Sequence, residues 1–211
     1  MASFHPPLTL LIVDDHYVFR AGLRAVLSLR KDFRVVAEAG DGTEALTAFR
    51  EHEPGMTLMD LRLPDATGIE TLRRIRHEFP AARVLMLTTF DGDEDIHRAL
   101  EAGACGYLLK SVPGPELLQA IEAAALGRRY IPPQVQKRLE ERATFGELTD
   151  REREVLPLIV KGLTNKDIAG ILGFTEFTAK AHVRSLLSKL GAADRTELVS
   201  IAVQRGLVHL E

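Results

Sequence analysis

The feature that most constrains the fold is a recurring short apolar run, found five times in the first 125 residues. Strands buried on both faces of a parallel sheet appear as continuous apolar runs rather than as alternating patterns. The runs predict strands near 8–13, 33–37, 56–60, 83–87 and 105–109. The stretches between them predict helices near 16–29, 43–51, 67–78, 93–102 and 114–125. Strand–helix alternation favours an α/β doubly wound parallel sheet.

Four of these runs end in residues suited to binding a cation or an anion. Asp14 and Asp15 end LTLLIV, Asp60 ends MTLM, Thr88 ends RVLML and Lys110 ends GYLL. The carboxyl ends of parallel strands meet at one edge, where ligands bind in open α/β sheets. Carboxylates that converge there repel one another, and a divalent cation relieves the repulsion. Hard oxygen ligands beside a lysine suit Mg²⁺ and a phosphoryl group.

A dinucleotide-binding domain is the main alternative for such a pattern. It requires G-x-G-x-x-G after the first strand, so that the backbone can approach a pyrophosphate. The turn here carries DDHYVFRAG, whose carboxylates would repel one.

The chain length of 211 residues is sufficient for two domains. We expect a first domain over 1–126, a partly helical linker over 127–146 and a second domain over 147–211. The linker is indicated by Gly127 and by Pro132 and Pro133, which block continuation of the preceding helix.

The last 65 residues predict four helices. Thr149 with Glu152 has the spacing of a capping box. Asn165 is expected to cap a short second helix, Thr175 a longer third that ends near Gly191, and Asp194 the last. The second and third, joined by a turn of about three residues, form a helix-turn-helix.

The third helix of this set has two distinct faces. Its apolar stripe comprises Ala179, Val183, Leu186 and Leu190, and Lys180, Ala181 and Arg184 cluster roughly 140° away at about 100° per residue. Between Lys161 and Lys189 the chain has five basic and two acidic residues. A helix that packs one face and presents basic residues on the other suits the major groove of double-stranded DNA.

Motifs in both halves resemble one family. IVDDH, MDLRLPDATG, LTTFD and GYLLK resemble the receiver domain of bacterial two-component response regulators, which has a flavodoxin-like (βα)5 fold. LTDREREVL, GLTNKDIA, KAHV and KLGAADRTELV resemble the LuxR-type output domain of the NarL/FixJ subfamily. The resemblance implies a transcription factor that a sensor histidine kinase controls by phosphorylation.

The resemblance also implies roles for residues of the first domain. Asp60 would accept the phosphoryl group, and Thr88 and Lys110 would bind its oxygens. Asp14, Asp15, Asp60 and the backbone carbonyl of Arg62 would hold Mg²⁺. Tyr107 would be a coupled rotamer switch, although an ordinary half-buried strand tyrosine is an equally good interpretation.

In the second domain, the resemblance assigns base contacts to Lys180, Ala181 and Arg184. Contacts with DNA phosphates are expected from Thr164, Asn165, Lys166, Thr178 and Lys189. Phosphorylation would favour a homodimer on paired half-sites. Three residues depart from the family pattern and bear on DNA binding: Pro157, Ala179 and Phe177.

Two other functions remain open from the sequence. An aspartyl-phosphate hydrolase would use Asp60 as nucleophile, but it requires an acid/base Asp two residues later, where Arg62 stands. The second alternative is a protein that interacts with its partners independently of phosphorylation, in which the acidic site is merely present. With no run of about 20 apolar residues, no expected signal peptide and Cys105 as the only cysteine, we expect a cytoplasmic protein that is not an enzyme acting on other substrates.

Overall fold

The computed structural model describes residues 4–89, 92–143 and 145–209. The chain divides into two compact units, one over 1–90 and 96–136 and the other over 91–95 and 137–211. Among the described residues, no helix is both long enough and apolar enough to cross a bilayer.

The first unit contains a five-stranded sheet, and every pairing in it is parallel. The strand order is β2-β1-β3-β4-β5, which requires helical crossovers between neighbouring strands. The strands are β1 Leu8–Val13, β2 Phe33–Ala39, β3 Met56–Met59, β4 Val84–Thr88 and β5 Gly106–Leu109. The intervening helices are α1 Tyr17–Ser28, α2 Gly42–His52, α3 Gly68–Glu78, α4 Asp93–Glu101 and α5 Gly114–Ala125. The predicted doubly wound α/β class is confirmed.

The central strands explain why the apolar runs are continuous. Every residue of β3 and β4 is buried, as are the last four residues of β1. Leu10 and Ile12 pack in one core cluster with residues of α1 and α5. Because both faces of the strands are covered, only their carboxyl ends can present polar side chains to a ligand.

One further helix follows α5 in the chain. Helix α6 spans Pro133–Arg142, so Pro133 occupies its first position. Proline suits that position because its missing N–H has no partner within a helix there. The short helix predicted inside 127–146 is therefore present.

The second unit contains four consecutive helices, as predicted. They are α7 Asp150–Val160, α8 Asn165–Leu172, α9 Glu176–Leu190 and α10 Arg195–Gln204. Thr149 and Glu152 form the predicted capping box, and Asp194 caps α10. Pro157 lies inside α7, as expected.

One predicted cap was wrong by a residue. The cap of α8 is Thr164, whose hydroxyl accepts a hydrogen bond from the backbone N–H of Asp167, and Asn165 is the first helical residue. Threonine and asparagine are both good caps. Thr164 takes the position because Asp167, three residues on, completes a reciprocal capping box with it.

The core of the second unit includes the predicted apolar stripe of α9. Ala179, Val183, Leu186 and Leu190 are all buried there, together with residues of α7, α8 and α10. The face of α9 opposite to this stripe is consequently the one left for other contacts.

Candidate functional site

The first candidate site lies at the carboxyl edge of the sheet. Val13 pairs with Met59 in the parallel register, so Asp14 and Asp60 follow at neighbouring positions. The backbone N–H of Asp60 donates to the carbonyl of Val13 at 2.8 Å. Both carboxylates are buried, at 2% and 4% exposure, whereas Asp15 is exposed.

Lys110 connects the two buried carboxylates. Its ammonium Nζ lies 2.7 Å from Oδ2 of Asp14 and 2.7 Å from Oδ2 of Asp60. The other oxygen of Asp60, Oδ1, accepts a hydrogen bond from the backbone N–H of Leu61 at 2.7 Å. Lys110 follows β5, which lies two strands away from β3, and its side chain reaches across the edge of the sheet to Asp60.

The site shifts the acid–base properties of both partners. Burial raises the pKa of Asp60, and the nearby Lys110 only partly offsets that effect. Burial lowers the pKa of Lys110, but its hydrogen bonds to Asp14 and Asp60 outweigh burial and leave the pKa above its ordinary value. The lysine therefore remains a cation beside Asp60 at neutral pH.

An acidic cluster at this edge has the donors for a metal ion. One potential ligand atom from each of Asp14, Asp15, His16 and Asp60 lies within 4.8 Å of the others. His16 was not among the predicted ligands; its Nδ1 lies 2.6 Å from Oδ1 of Asp15. Three carboxylates form a hard-oxygen set, which fits Mg²⁺ better than a softer metal.

The loop after β3 places Arg62 close to this edge. Arg62 forms an isolated antiparallel bridge with Thr67, which folds the loop back before α3 begins. Gly68 then approaches the Asp60 backbone so closely that an added Cβ would lie 1.9 Å from the Asp60 carbonyl oxygen. The glycine that ends the sequence motif MDLRLPDATG is thus required by space.

The predicted switch residues lie on the neighbouring strands. Thr88 ends β4 with no exposed surface, and its carbonyl accepts a hydrogen bond from the backbone N–H of Lys110 at 2.7 Å. Tyr107 in β5 is fully buried, which does not agree with the alternative interpretation of a half-buried strand tyrosine. Its neighbours in β5, Gly106 and Leu108, are buried as well.

Phe19 is a member of this site that the sequence analysis missed. Its ring centroid lies 4.6 Å from Nζ of Lys110, within the range of a cation–π contact. Phe19 belongs to α1, which follows Asp14 and Asp15 in the chain. Its spacing from the aspartates gave no signal, because the contact depends on how α1 packs against the core of the first unit.

The second candidate site is the exposed face of α9. Lys180, Ala181 and Arg184 are all exposed there, on the side opposite to the buried stripe. Within the described part of the chain, no carboxylate forms an ion pair with Lys180 or Arg184. These cations are available for an anionic partner.

The predicted phosphate-contact residues have different surroundings. Lys166 is exposed. Thr164 caps α8, Asn165 Oδ1 accepts a hydrogen bond from Arg195 at 3.3 Å, and the hydroxyl of Thr178 lies 2.9 Å from that of Thr175. Lys189 Nζ lies 2.8 Å from Oε2 of Glu152.

Glu152 is the centre of a buried polar group in this unit. Besides Lys189, its carboxylate accepts a hydrogen bond from Ser185 Oγ at 2.6 Å and from the backbone N–H of Thr149 at 2.7 Å. Burial opposes ionisation, but these hydrogen bonds outweigh it and lower the pKa of Glu152 to about 2. The capping glutamate therefore also fixes α9 against the start of α7.

Comparisons with known proteins match both parts of the chain to one class of regulator. The model of the response regulator receiver domain matches residues 10–122. The model of bacterial regulatory proteins of the luxR family matches residues 146–202. The response regulator protein VraR of Staphylococcus aureus is 38% identical over 207 residues, which cover 96% of this chain and 99% of VraR.

The chain belongs to the LuxR family of response regulators. Such a regulator combines a receiver domain with a LuxR-type DNA-binding domain and controls transcription. The receiver domain implies a kinase partner, and the LuxR-type domain implies DNA. The family consists of regulators rather than typical enzymes.

Solved structures agree with this assignment. A LuxR-family two-component response regulator from Aurantimonas sp. SI85-9A1 is 41% identical, with a TM-score of 0.63, covering 65% of this chain and 99% of that one. RcsB from Salmonella enterica serovar Typhimurium, bound to a promoter in the presence of the phosphomimetic BeF3−, is 25% identical with a TM-score of 0.74. That likeness covers 93% of this response regulator and 98% of RcsB.

Proposed function

We propose that this response regulator accepts a phosphoryl group on Asp60 from a sensor histidine kinase and then binds promoter DNA through α9. The observation that carries the first half is the placement of Lys110, whose ammonium lies 2.7 Å from both Asp14 and Asp60. A cation held at that point is positioned to stabilise the negative charge of a transferring phosphoryl group.

In the proposed transfer, a carboxylate oxygen of Asp60 forms a bond to phosphorus as the bond from phosphorus to the kinase histidine nitrogen breaks. The nitrogen keeps the electron pair, and the imidazole leaves as a neutral ring because its other nitrogen carries a proton. Lys110 pairs with the phosphoryl oxygens and loses part of its contact with Asp60. Thr88, which ends the neighbouring strand, donates its hydroxyl hydrogen to the same oxygens.

Mg²⁺ is the proposed cofactor, because the donors at this edge are carboxylates. Asp14, Asp15, Asp60 and the backbone carbonyl of Arg62 would hold it. When bound, the ion neutralises the carboxylates and the incoming phosphoryl group. Asp14 already contacts Lys110, so Asp15→Ala is expected to weaken Mg²⁺ binding, measured by calorimetric titration, more than Asp14→Ala. The opposite order would reverse the proposed roles.

The output half of the proposal concerns α9. Lys180, Ala181 and Arg184 would contact base edges, and Thr164, Asn165, Lys166, Thr178 and Lys189 would contact phosphates. Lys189 would have to do so while paired with Glu152, so its phosphate contact is expected to be the weakest of the five.

Tyr107 is proposed to change its rotamer when Thr88 binds the phosphoryl oxygens. Phosphorylation is proposed to favour a homodimer, in a protein that works in the cytoplasm.

The test is labelling with a small phosphodonor, such as acetyl phosphate, in the presence of Mg²⁺. Incorporation of one phosphoryl group per chain that disappears in Asp60→Asn supports the proposal, because the amide keeps the volume and loses the nucleophile. Asp65→Asn is a matched control, since Asp65 Oδ1 accepts a hydrogen bond from the backbone N–H of Gly42 at 2.7 Å and lies outside the acidic cluster.

Two outcomes of this experiment would contradict the proposal. Rapid turnover of the phosphodonor would favour a hydrolase, and an absence of labelling would favour phosphorylation-independent interaction.

A separate experiment tests the proposed dimer. DNA carrying one half-site should bind the phosphorylated protein much more weakly than DNA carrying two. Equal affinity for both duplexes would refute dimeric binding.

A further inference from the structure

Phe177 has an unusual position for a large apolar side chain. It is 83% exposed, and it is the one exposed large hydrophobic residue among the described residues of α9. Leaving a phenyl ring in water is unfavourable, because burial of apolar surface stabilises a protein or a complex. Among the described residues of the second unit, the core is built from the opposite side of the helix, so it does not bury the ring.

Phe177 lies at the N-terminal end of the basic face. At about 100° per residue, Phe177 lies within about 60° of Lys180, Ala181 and Arg184, which follow it at i+3, i+4 and i+7. The buried stripe lies roughly 150° away on the same count. Phe177 is therefore followed on this face by two cations, Lys180 and Arg184, which have no ion-pair partner among the described residues. That neighbourhood favours a nucleic acid over an apolar protein surface as the partner.

The helical position of Phe177 fixes what it can reach. Helix α9 begins at Glu176 and is capped by Thr175, so Phe177 is its second residue. In helix-turn-helix proteins the N-terminal residues of the recognition helix contact base edges in the major groove. Bases in a duplex remain stacked, so their faces are closed to the ring. The apolar group on a major-groove edge is the 5-methyl group of thymine.

We propose that Phe177 is a specificity-determining residue that reads a thymine methyl group in the target site. This assignment rests on the proposed DNA-binding function of α9. It adds an apolar contact to the polar readout by Lys180 and Arg184, at a base position next to theirs. Ala181 is smaller and one helical turn further on, so it would contact a different base pair.

The experiment uses the full-length protein, phosphorylated with acetyl phosphate, and duplexes selected from a randomised DNA pool. Each thymine of the selected site is then replaced in turn by deoxyuridine, which removes only the 5-methyl group. At one position the wild type should lose about fourfold in affinity, or about 0.8 kcal/mol for one buried methyl group. Phe177→Ala should bind the two duplexes equally, and Phe177→Leu should retain part of the difference.

Two variants serve as controls. Ile171→Ala removes another exposed apolar side chain, 59% exposed on α8, and should leave the deoxyuridine effect unchanged. Ala181→Ser should leave the position read by Phe177 unchanged. Because Phe177 is exposed, its variants should melt at the wild-type temperature.

The outcomes separate this assignment from the function on which it rests. If the wild type enriches no sequence from the pool, the proposed function itself fails. If the wild type enriches a site but Phe177→Ala keeps the same deoxyuridine effect, the assignment is overturned and the proposed function stands. Equal loss on all duplexes in Phe177→Ala would also overturn it, because that result indicates a contact without sequence readout.

Discussion

The ammonium nitrogen of Lys189 lies 2.8 Å from Oε2 of Glu152, which joins the last turns of α9 to the first turn of α7. The same lysine donates to the backbone carbonyl of Glu147 at 2.7 Å. The Glu152 side chain is 4% exposed, whereas that of Lys189 is 28% exposed. The pair therefore supports the orientation of the proposed recognition helix from the end that lies away from Phe177 and Lys180.

Lys189→Ala is expected to destabilise the second unit. Removing one partner of a buried pair leaves the other charge without compensation, and the loss should be on the order of 2–4 kcal/mol. Segment-resolved hydrogen exchange of the full-length protein measures it in α7 and α9. Lys166→Ala removes an exposed lysine and serves as the control. Unchanged exchange in Lys189→Ala would contradict the structural role.

The salt dependence of DNA binding tests the other role proposed for Lys189. A phosphate contact contributes about one unit to the slope of log affinity against log salt concentration. If Lys189 only supports α9, its removal should weaken binding without lowering that slope. A slope lower by about one unit would show that Lys189 also contacts DNA.

Stability of the second unit should fall in acid because of Glu152. Its folded-state pKa of about 2 lies below the ordinary 4.5, so its ionisation stabilises the fold fully above pH 4.5. That contribution, on the order of 3 kcal/mol, should disappear as the pH falls from 4.5 towards 2. The stability of the second unit can be measured by hydrogen exchange, corrected for the intrinsic effect of pH on exchange. It should depend less on pH in Glu152→Gln than in the wild type. An equal dependence in both proteins would assign the acid sensitivity to other carboxyl groups.

Local signals predicted most of the fold because they act within a few residues. Continuous apolar runs located all five strands to within two residues, and caps such as Thr149 and Asp194 located the helix starts. The cap of α8 was misplaced because Thr164 and Asn165 are adjacent and both suitable. The edge that carries Asp14, Asp60 and Lys110 could be predicted because the carboxyl ends of parallel strands meet at one edge of the sheet.

Contacts between distant segments could not be read from the sequence. Phe19 meets Lys110 across 91 positions of the chain, and Glu152 meets Lys189 across 37. Neither pair has a characteristic spacing, because each depends on the packing of two separate elements. The role of Lys189 in the fold was missed for this reason, while its basic charge suggested only a partner outside the protein.

Gly68→Ala should impair the proposed phosphoacceptor site. An added Cβ would lie 1.9 Å from the Asp60 carbonyl oxygen, so either the loop or the start of α3 must move. We expect a loss of stability of roughly 1–3 kcal/mol for such overpacking, together with slower labelling of Asp60. A thermal melt and the rate of phosphodonor labelling measure the two effects. Gly22→Ala is the control, because a Cβ there meets nothing within 4 Å.

Pro157→Ala should stabilise the second unit. Pro157 lies inside α7, where proline lacks the N–H for a helical hydrogen bond and costs about 3 kcal/mol relative to alanine. Allowing for local relaxation, the gain should be on the order of 1–3 kcal/mol. Hydrogen exchange in α7 or a thermal melt measures it. A lower melting temperature would show that α7 requires the bend that proline imposes.

Arg184→Ala should reduce both affinity for the selected DNA site and discrimination at one base pair. Arg184 is exposed one turn after Lys180 on the face opposite to the buried stripe, so both can enter one major groove. A guanidinium can bind two acceptors of guanine at once, and its removal should cost about 1–3 kcal/mol on the specific site. Random DNA should lose much less.

Arg184→Lys provides the matched comparison, because it keeps the charge and loses the planar pair of donors. If base readout is correct, lysine should restore binding to random DNA but not discrimination at that position. Binding titrations at several salt concentrations, with specific and random duplexes, measure both quantities. Equal losses on the two duplexes in Arg184→Ala would mean that this side chain contacts only the phosphate backbone, and sequence readout would then rest on Lys180, Ala181 and Phe177.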